Sequence, residues 1–150
     1  MPSHYKGTQE EVRALKAYIT LLRSAESLSS SLAGELAGQR LTLSQFGVLE
    51  ALFHLGPMSP SALAGKLLKS GGNMTMVVGN LEKRKLVRRV RDRKDRRTLK
   101  IHLTAEGRRM ITEVLPEHVQ WIRARIGVLT EEEQENLRRL CKKVGRGAVS

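Results

Sequence analysis

The chain has 150 residues, of which 40% are hydrophobic, and its 27 lysines and arginines against 15 acidic residues give a formal net charge of +12. This length allows one ordinary hydrophobic core, or one core with an assembly interface. A large excess of positive charge is typical of nucleic-acid-binding proteins. The single cysteine excludes a disulfide framework, and no apolar run could form a membrane span or a signal segment, so we expect a cytoplasmic protein with no membrane partner.

The first predicted element is a long helix from about Gln9 to Ala37, with Gly38 as its expected stop. Its apolar residues recur at spacings of three and four, which predicts an apolar stripe along one helix face. The stripe consists of Val12, Leu15, Ile19, Leu22, Leu28, Leu32 and Leu36. Since no compact unit precedes it, this stripe needs another surface to cover it.

The next two predicted helices each begin at a recognisable cap. Thr42 and Gln45 have the spacing of a capping box, and Ser59 followed by Pro60 is typical of a helix N-terminus. Gly56 is expected to end the first of these helices in a left-handed conformation. The expected inward-facing residues are Phe46, Leu49, Leu52, Phe53, Leu63, Leu67 and Leu68.

A fourth helix is predicted from an N-cap at Ser70 to about Lys85. Its expected buried side carries Met74, Val77, Val78 and Leu81. Its other side carries small and polar residues, namely Gly72, Asn73, Thr75, Met76, Gly79, Asn80 and Lys83. A helix, a tight turn and a second helix with this exposed face predict a helix-turn-helix that enters a DNA major groove.

A strongly basic stretch follows between Lys83 and Lys100. It holds 11 lysines and arginines and two aspartates, a net charge of +9 in 18 residues. Apolar residues recur in and just after this stretch at spacings typical of β-strands. They are Leu86, Val87 and Val90, followed by Leu99, Ile101 and Leu103. This pattern predicts a β-hairpin with one face on the core and residues 91–97 at its tip. Because the stretch lacks aromatic residues on which unpaired bases could stack, it favours duplex DNA over RNA.

Two further helices complete the predicted fold. Thr104 is expected to start the fifth helix, and Pro116 to kink or divide it. Thr130 and Glu133 predict a capping box for the last helix, which is followed by a glycine-rich, poorly ordered tail. The apolar residues of the two helices are Met110, Ile111, Val114, Leu115, Val119, Ile122, Ile126, Leu137, Leu140 and Val144.

Catalytic and metal-binding patterns are missing from the sequence. It contains no nucleophile elbow, no phosphate-binding glycine loop and no metalloprotease helix. The histidines are scattered, at His4, His54, His102 and His118. We therefore expect a non-enzyme without cofactor or metal.

For three further residues, the sequence favours a structural role over a chemical one. Asp92 and Asp95 could be catalytic carboxylates, but the surrounding arginines and lysines favour ion pairing. Cys141 follows Leu140 on the apolar side of the last helix, so we expect a buried structural thiol.

Five segments, in this order and spacing, resemble the MarR family of bacterial transcription regulators. They are LTLSQFGVL (41–49), LAGKLLKS (63–70), LEKRKLV (81–87), DRKDRR (92–97) and LTAEG (103–107). The resemblance implies a mainly α (α+β) fold: a winged helix-turn-helix over residues 39–107, with a small β-hairpin wing, flanked by helical dimerisation regions at 1–38 and 108–150.

The resemblance also implies a function and its residues. A homodimer with interlocked first and last helices would bind a pseudo-palindromic double-stranded DNA operator, usually as a repressor, and a small ligand could modulate it. The fourth helix would read the major groove and the wing would enter the minor groove, where Arg97 matches the family's wing arginine and Asp95 orients it. The implied DNA-binding residues are Ser70, Gly72, Asn73, Thr75, Met76, Asn80, Arg89, Arg93, Lys94, Asp95, Arg96 and Arg97.

Effector-binding residues are less well defined by the resemblance. The candidates are Tyr18, Leu22, Phe46, Phe53 and Trp121, which an ordinary core would also contain. One branch of the family senses peroxide through a cysteine in the first helix, where this chain has none.

Three positions depart from the family pattern. Met76 stands where arginine is common and can offer only an apolar contact, for instance to a thymine methyl group. Gly79 replaces a common aspartate, and Lys85 replaces a common glycine, so that a lysine would have to adopt a left-handed conformation. These departures predict weaker direct base readout and more reliance on the wing and on DNA shape.

Two other functions remain open at this point. A nucleic-acid-coating or RNA-associated protein would use the same basic hairpin without sequence preference, and competition against bulk genomic DNA would distinguish it from a regulator. A protein-interaction module would instead present its basic face to an acidic partner, and a monomer in solution would support that interpretation.

Overall fold

The computed structural model describes residues 4–67 and 71–149, with side chains for all of these except 71–72 and 147–149. Within these ranges the chain forms six helices and one antiparallel hairpin. The elements are α1 (Gln9–Ala37), α2 (Leu43–Leu55), α3 (Pro60–Leu67), α4 (Gly71–Lys83), β1 (Val87–Arg91), β2 (Leu99–Leu103), α5 (Ala105–Ile126) and α6 (Glu131–Val149). They form two compact units, which divide after Arg108. The predicted fold, a mainly helical chain with a winged helix-turn-helix, is confirmed.

Most helix starts lie where local sequence patterns predict them. Thr42 Oγ1 accepts from the amide of Gln45 at 3.0 Å, and Gln45 Oε1 accepts from the amide of Thr42 at 3.1 Å, which completes the capping box. The same reciprocal pair joins Thr130 and Glu133 at 2.9 and 3.2 Å. Ser59 Oγ accepts from the third amide after it at 3.1 Å. The predicted cap Ser70 and the predicted inward-facing Leu68 lie outside the described residues.

A further capping box, absent from the predicted elements, begins α1. Thr8 Oγ1 accepts from the Glu11 amide at 3.1 Å, and the Glu11 carboxylate accepts from the Thr8 amide at 2.8 Å. The hydrogen bond from the Thr8 amide, together with that from its hydroxyl, lowers the pKa of Glu11 because both favour the charged carboxylate.

The core of the first unit lies between α2, α3, α4 and the hairpin. Its buried apolar residues are Leu36, Leu41, Phe46, Val48, Leu49, Ala51, Leu52, Leu63, Ala64, Met74, Val77, Val78, Leu81, Leu86, Val87 and Ile101. The four residues predicted for the buried side of α4 are all among them. In α1, by contrast, Leu36 is the buried member of the predicted stripe, and Leu22 and Leu28 are exposed.

The hairpin has the predicted strands, but one residue predicted for its core-facing side, Val90, lies on the other side. Val87 pairs with Leu103 and Arg89 with Ile101, and directly opposed residues of an antiparallel pair share a face. Val90 therefore points to the other side, opposite Lys100, and is 36% exposed. The expected core role of Val90 is wrong because it stands three residues after Val87, whereas strand side chains alternate with a period of two.

The hairpin is held to the core by a residue that no sequence pattern indicated. Met58, between α2 and α3, forms an isolated antiparallel bridge with Ile101. The Ile101 amide donates to the Met58 carbonyl at 2.7 Å, and the Met58 amide donates back at 3.3 Å. Strand β2 thus has hydrogen-bonding neighbours on both edges.

Helix α4 ends in a Schellman motif, with lysine where glycine is usual. The Lys85 amide donates to the carbonyl of Glu82 at 2.9 Å and the Leu86 amide to that of Leu81 at 3.0 Å. Lys85 has φ 62°, so the predicted left-handed lysine is confirmed. Such a residue costs about 1–2 kcal/mol relative to the right-handed conformation. Arg40, at φ 60°, occupies the same place after α1.

The second unit corrects two expectations and narrows a third. Helix α5 continues across Pro116, so the proline does not divide it, and the alternative of a kink stays a prediction. Helix α6 continues to Val149, where a glycine-rich, poorly ordered tail was expected. Cys141 is exposed, so its predicted burial is wrong within the chain. The reason is that the apolar side of α6 is uncovered, since Leu140 is 50% and Val144 61% exposed. No helix in the described ranges is long and apolar enough to cross a bilayer.

Candidate nucleic-acid interface

The exposed face of α4 is centred on Met76. Each residue of an α-helix turns the chain by about 100°, which places Gly79, Asn80 and Lys83 within about 60° of Met76 around the helix axis. The buried Met74 and Val78 lie on the opposite side. Thr75 lies about 100° away, at the edge of the face. Met76, Asn80 and Lys83 are all exposed, so helix geometry brings the predicted reading residues onto one accessible surface.

Gly79 leaves a gap in this face. A Cβ added there would meet no atom of the described residues within 4 Å, the neighbouring backbone of its own helix aside. The protein's own packing therefore does not require glycine at this position, although glycine lowers helix stability by about 1 kcal/mol relative to alanine. The gap lies one turn after Met76, on the same side of the helix.

The loop at the wing tip is shaped by its two aspartates. Asp92 Oδ1 accepts from the amide of Lys94 at 2.8 Å, and Asp95 Oδ1 accepts from the amide of Arg97 at 3.0 Å. The amide of Thr98 donates to the Asp95 carbonyl at 3.0 Å. The carboxylates, which we interpreted as ion-pair partners, thus hold the main chain of the loop, and Asp95 positions Arg97 through its backbone.

Four cationic side chains project from this loop. Arg93, Lys94, Arg96 and Arg97 are all exposed, and we call them the tip cations. The loop beneath them is braced by Arg91, whose Nη1 donates to the Arg96 carbonyl at 2.8 Å. A hydrogen-bonded loop that carries four exposed cations can meet the closely spaced phosphates of a duplex.

Arg89 has a partner on the neighbouring helix. Its Nε lies 3.5 Å from Glu82 Oε1, and both side chains are partly exposed. Arg89, which the family resemblance implies for DNA binding, therefore also connects β1 to α4. Exposed pairs of this kind contribute little to stability, typically below about 1 kcal/mol.

Arg84 connects three helices and had no distinguishing signal in the sequence. Its Nη1 donates to the Arg40 carbonyl at 2.6 Å, just after α1, and approaches Gln45 Oε1 in α2 at 3.4 Å. One guanidinium therefore holds the end of α4 against the corner between α1 and α2. In the sequence it is one of eleven similar cations.

The base of the wing is closed by four residues, which we call the wing clasp: Lys85, Leu86, Thr104 and Gly107. The Thr104 hydroxyl donates to the Lys85 carbonyl at 2.7 Å and accepts from the Gly107 amide at 3.0 Å. The Thr104 amide donates to the Leu86 carbonyl at 3.1 Å. The clasp joins the chain entering β1 to the chain leaving β2.

The five effector candidates lie in different surroundings. Tyr18 and Leu22 are exposed on α1, whereas Phe46 is buried in the core. Phe53 is half-buried, and the guanidinium of Arg108 lies 5.7 Å from its ring centre.

Trp121 belongs to the second unit, where the Arg125 guanidinium lies 5.3 Å from its ring centre. Its indole N–H is buried, and no acceptor among the described residues reaches it. A cavity of about 880 Å³ in the same unit is lined by residues between Val119 and Gln134, and Trp121 is not one of them. No cluster of three or more metal-ligating side chains occurs in the described part of the chain.

Comparison with known proteins gives a consistent result. Residues 41–99 match the sequence model of the MarR family. The chain is 32% identical over 136 residues to the HTH-type transcriptional regulator MhqR of Bacillus subtilis. The aligned region covers 91% of this chain and 94% of the relative.

Solved structures agree with the sequence match. AbsC, a MarR family regulator from Streptomyces coelicolor, superimposes with a TM-score of 0.85 at 25% identity, over 96% of this chain and 98% of its own. BpsR of Bordetella bronchiseptica, whose DNA binding is regulated by 6-hydroxynicotinic acid, superimposes with a TM-score of 0.78 at 25% identity, over 87% and 98% of the two chains.

Proposed function

Because the chain belongs to the MarR family, we propose that it is a homodimeric transcription regulator that binds a pseudo-palindromic duplex operator and represses the genes beside it. The observation that carries this proposal is the accessible α4 face beside a wing that presents four exposed cations. The cytoplasm is the proposed location. Residues 39–107 would bind DNA, and residues 1–38 and 108–150 would dimerise.

The two parts of the proposed interface have different chemistry. The α4 face is compact and carries few charges, so it suits base edges in a major groove. The tip cations suit the negative potential of phosphates and of a narrow minor groove. In this assignment α4 provides sequence preference and the wing provides most of the affinity.

Selection of duplexes from a random pool tests the proposal directly. The selected sequences should share an inverted repeat, because a two-fold symmetric dimer contacts two equivalent half-sites. The purified protein should then retain a selected duplex against a large excess of bulk genomic DNA. Failure to enrich any sequence would favour the coating-protein alternative, and that outcome would contradict a regulator.

The uncovered apolar sides of α1 and α6 support the homodimer. Exposed apolar stripes of this length are typical of association surfaces. Leu137, Leu140 and Val144 lie within about 60° of one another around the axis of α6, and all three are exposed.

Leu140→Glu should therefore weaken dimerisation at least about tenfold, because a carboxylate would be buried in the apolar contact. Lys142→Glu, on the polar side of the same helix, is the control and should leave the dimer largely intact. Sedimentation equilibrium measures both variants. A monomeric wild-type protein at micromolar concentration, or a Leu140→Glu dimer as stable as wild type, would contradict the proposed interface.

The proposed effector is a small molecule. The DNA binding of BpsR, which this chain resembles, is regulated by 6-hydroxynicotinic acid, and that likeness supports a small-molecule effector here.

A further inference from the structure

We infer that Met76 is a specificity-determining residue that reads the C5-methyl group of a thymine in the operator. The inference rests on the proposed function and adds to it the chemical group that is recognised. It follows from the position of Met76, from the chemistry of a thioether and from the gap at Gly79.

Met76 has a central position on the exposed face of α4. It stands at the centre of the exposed face, opposite the buried Met74 and Val78, and is 63% exposed. A surface that approaches α4 along its open side meets Met76 before it meets the peripheral Thr75. The first group presented to a major groove is therefore apolar.

The major groove offers one apolar group that such a side chain can recognise. Base edges there display hydrogen-bond donors and acceptors, together with the methyl group of thymine. A thioether donates no hydrogen bond and accepts only weakly, so against guanine or cytosine it would cover polar groups without replacing their water contacts. Against thymine it gains an apolar contact and leaves O4 accessible.

Gly79 allows the required approach. A side chain at this position would stand one turn from Met76 on the same side, between the helix and the base pairs. Glycine has no Cβ, and no described residue beyond the helix's own backbone comes within 4 Å of where one would stand, so the groove wall has room to approach. Asn80, about 40° from Met76 around the axis, can bond to the adenine of a neighbouring A·T pair.

The experiment uses the operator obtained by selection, with each thymine replaced in turn by deoxyuridine, which lacks only the methyl group. Wild-type protein should lose about threefold to fivefold in affinity at one or two positions of each half-site, the loss expected for one methyl contact. In Met76→Ala that sensitivity should disappear, and in Met76→Leu, which remains apolar, it should persist. At a sensitive position, 5-methylcytosine should bind more tightly than cytosine.

Two results would overturn the inference. One is a wild-type protein that binds all deoxyuridine operators as tightly as the thymine operator. The other is Met76→Ala protein that keeps the wild-type sensitivity, since the methyl group would then be read elsewhere or through DNA shape. Either result leaves the proposed function standing, whereas a failure to select any operator removes the proposed function itself. Circular dichroism of the Met76 variants confirms that the exposed substitutions keep the fold.

Discussion

Replacement of the four tip cations by glutamine is expected to lower affinity for duplex DNA by about a hundredfold to a thousandfold near 0.15 M salt. Each cation that neutralises a phosphate releases a counterion. The logarithm of the association constant therefore falls with the logarithm of the salt concentration, with a slope of about 0.9 per phosphate contact. The loss should affect the operator and a scrambled duplex alike, because phosphate contacts carry no sequence information. DNA-binding titrations at several salt concentrations should show that this salt slope is smaller in the variant than in the wild type, by about three to four per wing.

The same substitution should leave the fold unchanged. The tip loop is held by the carboxylates of Asp92 and Asp95 and by main-chain groups, none of which the substitution removes. The thermal unfolding midpoint should therefore stay close to that of the wild type, and the lost affinity cannot be attributed to a disordered wing.

Four cations on α6 provide a matched control. Arg139, Lys142, Lys143 and Arg146 are exposed and recur along one side of the helix. Their replacement by glutamine changes the net charge by the same amount but should reduce DNA affinity less than about tenfold, since long-range attraction is screened by salt. Equal losses from the two quadruple variants would mean that net charge alone binds DNA, and the hairpin would not be a wing.

Gly107→Ala is expected to lower the free energy of unfolding by about 1–3 kcal/mol. The new Cβ would overlap the Leu86 carbonyl oxygen and would lie 3.1 Å from Leu103 Cδ2. That carbonyl is part of the wing clasp, where it accepts the Thr104 amide, so the chain cannot move away without losing a hydrogen bond. Urea unfolding followed by circular dichroism measures the change.

Gly79→Ala is the matched control for Gly107→Ala. Both substitutions add one methyl group to a helical glycine, but the Cβ at position 79 meets no atom of the described residues outside the backbone of its own helix. Gly79→Ala should therefore be neutral or more stable by up to about 1 kcal/mol. Wild-type stability in Gly107→Ala would show that the wing clasp can relax, contrary to the overlap expected with the Leu86 carbonyl.

The features that could be predicted from the sequence are those that depend on neighbouring residues. The capping residues Thr42, Ser59 and Thr130 act on amides three positions away, and the buried side of α4 follows from its own 3.6-residue period. The exposed α4 face and the basic wing tip could be predicted from the sequence for the same reason. The order of these elements indicated a helix-turn-helix followed by a basic hairpin that binds duplex DNA, and the resemblance to the MarR family added the minor groove as the expected contact of the wing.

The features that escaped prediction depend on distant parts of the chain or on register. Arg84 meets the carbonyl of Arg40, 44 residues earlier, and Met58 meets β2 across the helix-turn-helix. Val90 was misplaced because composition suggested an apolar face, while the pairing of β1 with β2 decides which side chains share it. Cys141 was expected to be buried because its helix is amphipathic, but amphipathicity does not say whether the covering surface belongs to the same chain.

The wing clasp has an evolutionary consequence for the proposed regulator. Because the hairpin is fastened at its base, insertions, deletions and charge changes at the tip can accumulate without disturbing the helices behind it. The tip and the α4 face are therefore separate targets of mutation, one governing how firmly DNA is held and the other which sequence is chosen. Duplicated copies of such a gene can diverge in occupancy while sharing an operator, or acquire new operators while keeping the original strength of attachment.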